Sequence, residues 1–310
     1  MDKVIVVVGP TASGKSSLAI KLAQRLNGEI VSADSMQVYR GMDIGSAKAP
    51  ENERIVEHWG LDLLEPGEPF SAALFQEYAR SAFKDISNRG KTSILCGGTG
   101  FYVRAAIDDY DFPKGDQIGN DVRDKWMDFA DKHGAEALWN ALAEIDPNSA
   151  QLIAVNDIKR IVRAFELLED GKTYAQQKEA LSSIPELIPS IWIGLEVDPQ
   201  LLKDRINTRV DKMIELGLVA EVESLLDSGF REAITASQAI GYKEIVAALD
   251  GKCSMDDAIE QIKTSTRRYA KRQRTWFRKE KRIHWIDAND PDSDLVEAAL
   301  KVIAEINRTD

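Results

Sequence analysis

Val4-Ile5-Val6-Val7-Val8-Gly9-Pro10-Thr11-Ala12-Ser13-Gly14-Lys15-Ser16 decides the fold class of this 310-residue chain. Five β-branched residues in a row read as a strand buried on both faces. The next eight match G-x-x-x-x-G-K-[ST], and Leu18, Leu22 and Leu26 then recur at helical spacing. Strand, glycine-rich turn and helix open a βαβ unit. In that setting the glycines let backbone N–H groups converge on an anion, and the helix N-terminus adds the positive end of its dipole. Lys15 supplies a point charge to the outer phosphate, and the Ser16 hydroxyl is a ligand for Mg²⁺. Gly9, Thr11, Ala12, Ser13, Gly14, Lys15 and Ser16 therefore read as a site for a di- or triphosphate.

Working outward, Glu29–Ser32, Thr92–Cys96, Ile191–Val197 and Arg282–Ile286 are further short runs rich in Val, Ile or Leu. They lack the alternation of a half-exposed strand, as in a parallel sheet covered on both faces. The expected fold is α/β, a P-loop NTPase-like core with a parallel β-sheet flanked by helices. After the Asp- and Gly-rich stretch Asp108–Gly119, residues from Asn120 to Ala180 carry helical patterns, closed by Pro185 and Pro189. The expected organisation is a catalytic core of residues 1–115 and 188–310, with an all-helical insertion domain at 116–187.

Composition sets bounds. Hydrophobic residues make up 44% and charged residues 29%, ordinary for a soluble globular protein. No apolar run approaches the ~20 residues of a membrane span, and the opening residues read as a strand rather than a signal peptide. Cys96 and Cys253 lie far apart in sequence, so a reducing, cytoplasmic setting is expected, with both thiols packed as small hydrophobes. The net charge of −11 argues, as a total, against nucleic acid as a partner.

Two loops qualify the phosphate reading. Phosphate-loop NTPases carry a second strand ending in an acid that holds Mg²⁺. Here Ser93-Ile94-Leu95-Cys96 runs into Gly97-Gly98-Thr99-Gly100, which counts against a motor or GTPase; the bond cleaved need not be a P–O bond. Those glycines read as allowing a ligand close to the backbone, with Thr99 offering a hydroxyl. Asp34, in the loop after the second strand, falls at the sheet edge where ligands bind. Its position admits a metal ligand, a helix cap or a general base.

Six blocks in order, Gly9–Ser16, Ser32–Lys48, Gly97–Thr99, Asn156–Ala164, Gln238–Lys243 and Lys271–Arg278, resemble the bacterial tRNA dimethylallyltransferases, also called tRNA isopentenyltransferases. Ser46 and Ala49 interrupt the commoner Gly-Thr-Ala-Lys-Pro wording, and His58-Trp59 lacks the usual paired histidines. The resemblance implies transfer of a dimethylallyl group from dimethylallyl diphosphate to N6 of the adenosine immediately 3′ of the anticodon in tRNA. It implies Mg²⁺ as cofactor and Asp34, Thr99 and Lys15 as the catalytic residues. The acceptor is the tRNA anticodon stem-loop, met by Asp34, Ser35, Met36, Gln37 and Thr99 near the reacting groups, and by Gln238, Gly241, Tyr242 and Lys243. No membrane partner is implied, and a monomer is expected. Arg209 is a candidate further diphosphate ligand; a solvated helix charge is the alternative reading.

Residues 263–282 hold ten basic side chains against Glu280 alone, a charge of +9 that leaves −20 on the other 290 residues. On a helix, Arg267, Lys271, Arg274, Arg278 and Arg282 form one stripe. A solvated cationic face would look the same; the resemblance favours RNA, with Lys271, Arg272, Arg274, Trp276 and Arg278 as contacts. Lys159, Arg160 and Arg163, with Arg123, form a second basic patch on the insertion. The competing functions are a phosphate-loop small-molecule kinase and an isopentenyltransferase acting on free adenine nucleotides.

Overall fold

The computed structural model describes residues 3–112, 121–182, 184–233, 235–290 and 292–309. The apolar run Val4–Val8 (β1), buried at all five positions, runs through the middle of a six-stranded sheet. Its partners are Gly28–Ser32 (β2), His58–Trp59 (β3), Thr92–Gly97 (β4), Ser190–Glu196 (β5) and Ile283–Asp287 (β6). The spatial order is β3-β2-β4-β1-β5-β6 and each pairing is parallel. β1, β4 and β5 thus bring the loops after Val8, Gly97 and Glu196 to one edge of the sheet. β3 falls outside the strands expected from sequence, because two residues are too short to show a pattern.

The chain forms two compact units, Met1–Ile107 with Leu187–Asp310, and Asp108–Glu186. The first begins with α1 (Lys15–Arg25), α2 (Ala72–Asn88) and α3 (Gly100–Ile107). The second holds α4 (Asp121–Ile145), α5 (Pro147–Gln151), α6 (Ile158–Glu169) and α7 (Tyr174–Ser182). The first resumes with α8 (Pro199–Glu215), α9 (Leu218–Asp227), α10 (Tyr242–Leu249), α11 (Met255–Phe277) and α12 (Leu295–Thr309). Residues 113–120 lie outside the described residues; they include the expected boundary at 116, the expected helix start at Asn120 and most of the Asp- and Gly-rich stretch.

In the first unit, Leu18, Leu22, Ile206 and Ala299 cover one sheet face, and Phe75, Phe83, Val103 and Phe277 cover the other. A third cluster, around Tyr39, Met42, Leu218, Val222 and Tyr242, lies under the loop that follows β2. The second unit has its own core of Leu138, Leu142, Ile161, Val162 and Phe165, with the Trp126 and Phe165 rings stacked at 3.6 Å. Gly134 breaks α4 with φ +86°, a backbone state that side chains disfavour. Among the described residues, no helix is long and apolar enough to cross a membrane.

Candidate active site

The loop between β1 and α1 is held by positive φ at Ala12 (+63°) and at Gly14 (+95°), which caps α1. A non-glycine residue in that region carries strain that functional loops retain. Ser13 is buried beneath the loop, its N–H donating to the Pro10 carbonyl. Lys15 Nζ curls back to the Pro10 carbonyl at 3.4 Å. Burial draws its pKa below the ordinary lysine value, with Arg209 adding to the fall and the Cys96 and Asp34 sites opposing it. Cys96 lies under the loop, its thiol 3.7 Å from the Lys15 carbonyl and pushed up to about 11 by burial.

Thr11 is held from two helices. Its N–H donates to Gln273 Oε1 of α11 at 2.8 Å, and its hydroxyl accepts from Arg209 of α8 at 3.5 Å. Gln273 Nε2 in turn donates to the Gly98 carbonyl at 2.9 Å. Sequence reasoning misses Gln273: it is an uncharged polar residue inside a basic block, buried on the same side of the helix as Ile262 and Ala270.

Beyond β2, Asp34 Oδ1 accepts the Met36 N–H at 2.9 Å, an Asx turn that fixes the carboxylate. Thr99 Oγ1 accepts the Ser35 N–H at 3.3 Å, and the Thr99 N–H donates to the Ala33 carbonyl. The loops after β2 and β4 are thereby joined around Asp34. Tyr269 of α11 also lines this space; burial foremost, and then the Asp34 charge, push its phenol up to about 12.

Two cavities meet at these groups. One of about 90 Å³ is lined by Lys15, Ser16, Cys96 and Gln273. The other, about 550 Å³, has apolar walls from Met36, Val210, Met213 and Ile240, and cationic ones from Lys243, Arg268 and Arg272. Thr11, Asp34, Ser46, Arg209 and Tyr269 line both. Asp34 therefore stands where a phosphate pocket opens into a wider cationic cleft.

Several expected contacts are committed inside the protein. Tyr242 is fully buried and its hydroxyl donates to Glu221 at 2.6 Å; burial, then the Glu221 charge, raise its pKa. That same carboxylate accepts the N–H groups of Asp43, Ile44 and Gly45, so Tyr242 braces a cleft wall rather than offering a ring to RNA. Gln37 accepts from Ser32 Oγ and donates to the Ser46 and Ala47 carbonyls, leaving its amide no free N–H for a base. Gln238, Gly241 and Lys243 do line the larger cavity. The glycines at the end of β4 admit neighbouring protein: a Cβ would overlap Ala33 from Gly97, Gln273 from Gly98 and Trp276 from Gly100, while Gly97 also lines the small cavity. Trp276 is correspondingly packed against α3.

The basic helix faces the cleft differently from the expected stripe. Arg267 bonds Asn207, Arg278 pairs with Glu196, and Arg282 pairs with Glu280 and covers the Trp192 ring. Arg268 and Arg272, one turn apart, reach the cleft instead, with Arg272 5.6 Å over Tyr269. Lys271 is exposed and Arg274 half-buried. In the second unit, Arg123 and Arg163 both pair with the buried Glu166, and Arg160 pairs with Asp157. Lys159 is exposed there. Arg123 and Arg163 are thus tied to a buried carboxylate, while Lys159 and Arg160 remain at the surface.

Fold and site together define a P-loop protein with a small cavity under the phosphate loop beside a broad cationic cleft. Residues 37–280 match the family model described as IPP transferase, and residues 2–57 match that of isopentenyl transferase. The chain is 48% identical to a tRNA dimethylallyltransferase of Carboxydothermus hydrogenoformans, over 99% of this chain and 98% of that one. It is 46% identical to one of Acetivibrio thermocellus, over 95% and 94%. A crystal structure of a Bacillus halodurans tRNA isopentenylpyrophosphate transferase superposes with a TM-score of 0.71, at 40% identity over 99% and 96% of the two chains. A eukaryotic dimethylallyltransferase acting on tRNA gives 0.82 at 29% identity, over all of this chain and 80% of that one. The chain belongs to the IPP transferase family, that of the tRNA dimethylallyltransferases.

Proposed function

We propose that this enzyme moves the dimethylallyl group of dimethylallyl diphosphate onto N6 of the adenosine immediately 3′ of the anticodon in tRNA. The observation that carries the reading is Asp34 at the junction of the two cavities. The small cavity suits a diphosphate under the phosphate loop; the larger one suits an unstacked purine, with cationic walls for the RNA backbone.

The exocyclic amine is a weak nucleophile because its lone pair is delocalised into the ring. Asp34 takes the N6 proton as nitrogen bonds to the allylic carbon, and the C–O bond to diphosphate breaks. Charge grows on the leaving diphosphate, where Lys15, Arg209 and the N-terminus of α1 receive it. Thr99 holds the Asp34 loop through Ser35, keeping the carboxylate in place.

Ser16 is a hard oxygen donor lining the small cavity, which fits Mg²⁺, an ion that binds few protein oxygens and fills its shell with phosphate and water. When bound, Mg²⁺ would neutralise diphosphate charge, held by Ser16.

Incubation of tRNA with the enzyme, dimethylallyl diphosphate and Mg²⁺ should add one dimethylallyl unit, read by mass spectrometry of the nucleosides. Phosphorylation of an acceptor from ATP with no prenylated tRNA would overturn the reading. A kinase is not favoured, since β4 ends in glycines without the second Mg²⁺-holding acid.

A further inference from the structure

Gln273 is 6% exposed on α11, on the same helix as the cleft-facing Arg268 and Arg272. Its amide oxygen takes the Thr11 N–H and its amide nitrogen meets the Gly98 carbonyl. Those backbone groups belong to the loops after β1 and β4, neighbouring strands in register from Ile5–Ile94 to Val8–Gly97. A Cβ on Gly98 would overlap the amide nitrogen, so the tie requires glycine there. A carboxamide offers one acceptor and one donor side by side, which this pair of backbone groups demands.

We propose that Gln273 is a positioning residue for the phosphate loop. Its amide sets the spacing of Thr11 from the Gly98 loop, so the loop holds its diphosphate-binding geometry only while α11 is seated. The helix that faces RNA and the loop that binds the donor are thereby coupled through one side chain. The proposal rests on the prenyl-transfer reading for the identity of the donor.

The test uses the full chain with two substitutions, Gln273→Met, which keeps bulk, and Gln273→Glu, which keeps shape but loses the donor when ionised. Binding of inorganic pyrophosphate with Mg²⁺ is measured by calorimetry from about pH 5.5 to about pH 8.5, beside steady-state kinetics. Gln273→Met should weaken pyrophosphate binding and raise the KM for dimethylallyl diphosphate by about tenfold, with the KM for tRNA moving less than about twofold. For Gln273→Glu, affinity relative to wild type should recover by about tenfold as pH falls, because the protonated carboxyl again donates to Gly98. His58, Lys15, Asp34, Cys96, Arg209 and Tyr269 face the same space in each protein, and their titration largely divides out of that ratio. Wild-type pyrophosphate affinity in both variants would overturn the proposal. So would equal, pH-independent losses, which packing alone would produce. Absence of prenyl transfer by the wild type would sink the functional reading, while the pyrophosphate series would still decide the role of Gln273.

Discussion

Arg209 Nη1 lies 3.5 Å from Thr11 Oγ1, joining α8 to the phosphate loop across 198 positions of sequence. Burial lowers the guanidinium pKa and the Asp34 charge opposes that fall; the group stays cationic at neutral pH. In the prenyl-transfer reading, diphosphate would join Asp34 as a counter-ion to this partly buried charge.

Arg209→Ala should therefore lower kcat/KM for dimethylallyl diphosphate by about 10- to 100-fold. The tRNA dissociation constant should stay within about twofold, as measured by filter binding. A loss confined to tRNA affinity would place Arg209 on the acceptor side instead.

Asp34→Asn preserves the Asx turn, because an amide oxygen still accepts the Met36 N–H. It removes the proton acceptor. Turnover should fall by about 10²-fold or more with both substrates bound near normally; single-turnover rates at saturating tRNA and donor read this directly. Unchanged turnover would remove Asp34 from the base role.

Arg268 and Arg272 face the cleft, whereas Arg267 and Arg278 are engaged by Asn207 and Glu196. The double substitution Arg268→Ala with Arg272→Ala should weaken tRNA binding by about tenfold or more. Its salt slope should also fall by about one for each phosphate that is no longer neutralised. Arg267→Ala with Arg278→Ala should move the slope less. A reversed ranking, from binding titrations at several salt concentrations, would restore the stripe read from the sequence.

The core strands and the phosphate loop were legible because each depends on local signals: β-branched runs and a fixed glycine–lysine spacing next to a strand. Helix facing at α11 was not. Charge spacing suggested one stripe, but the neighbours that absorb Arg267, Arg278 and Arg282 come from α8, β5 and the turn before β6, which charge spacing along the helix does not register. Tyr242 sits in a motif that resembles a binding block, yet its partner Glu221 comes from α9, outside that block; Gln37 is tied within its own block, to Ser32, Ser46 and Ala47. Gln273 went unseen because a polar side chain inside a basic block carries no local sign of the two backbone groups it ties.

Away from the site, Glu29 is buried at the edge of β2. Hydrogen bonds from Arg89 foremost, then from Lys91 and Trp59, outweigh burial and hold its carboxyl at about 2. An unfolded glutamate titrates near ~4.3. The ion-pair contribution is thus complete above that value and fades as pH falls towards 2. Over this window the wild type should lose about 1–2 kcal/mol that Glu29→Gln does not lose, a modest amount because Arg89 and Lys91 are partly solvated. Denaturant unfolding at pH 7 and pH 3 compares the two; parallel losses would assign the acid sensitivity to other carboxylates.

Gly100 opens α3 where the Trp276 ring presses against its backbone, so a Cβ has no room. Gly100→Ala should cost about 1–3 kcal/mol through forced displacement of the indole. The displacement would also pull on α11 one turn from Gln273, and so disturb donor binding. Trp276→Leu frees that space at the expense of packing against Phe277. In the double variant Gly100→Ala with Trp276→Leu, the two losses should sum to less than their separate values, since the clash is gone. Thermal unfolding of the four proteins measures this coupling. Strict additivity, together with a tRNA affinity lowered by Trp276→Leu alone, would mean that the indole serves RNA rather than the joint between α3 and α11.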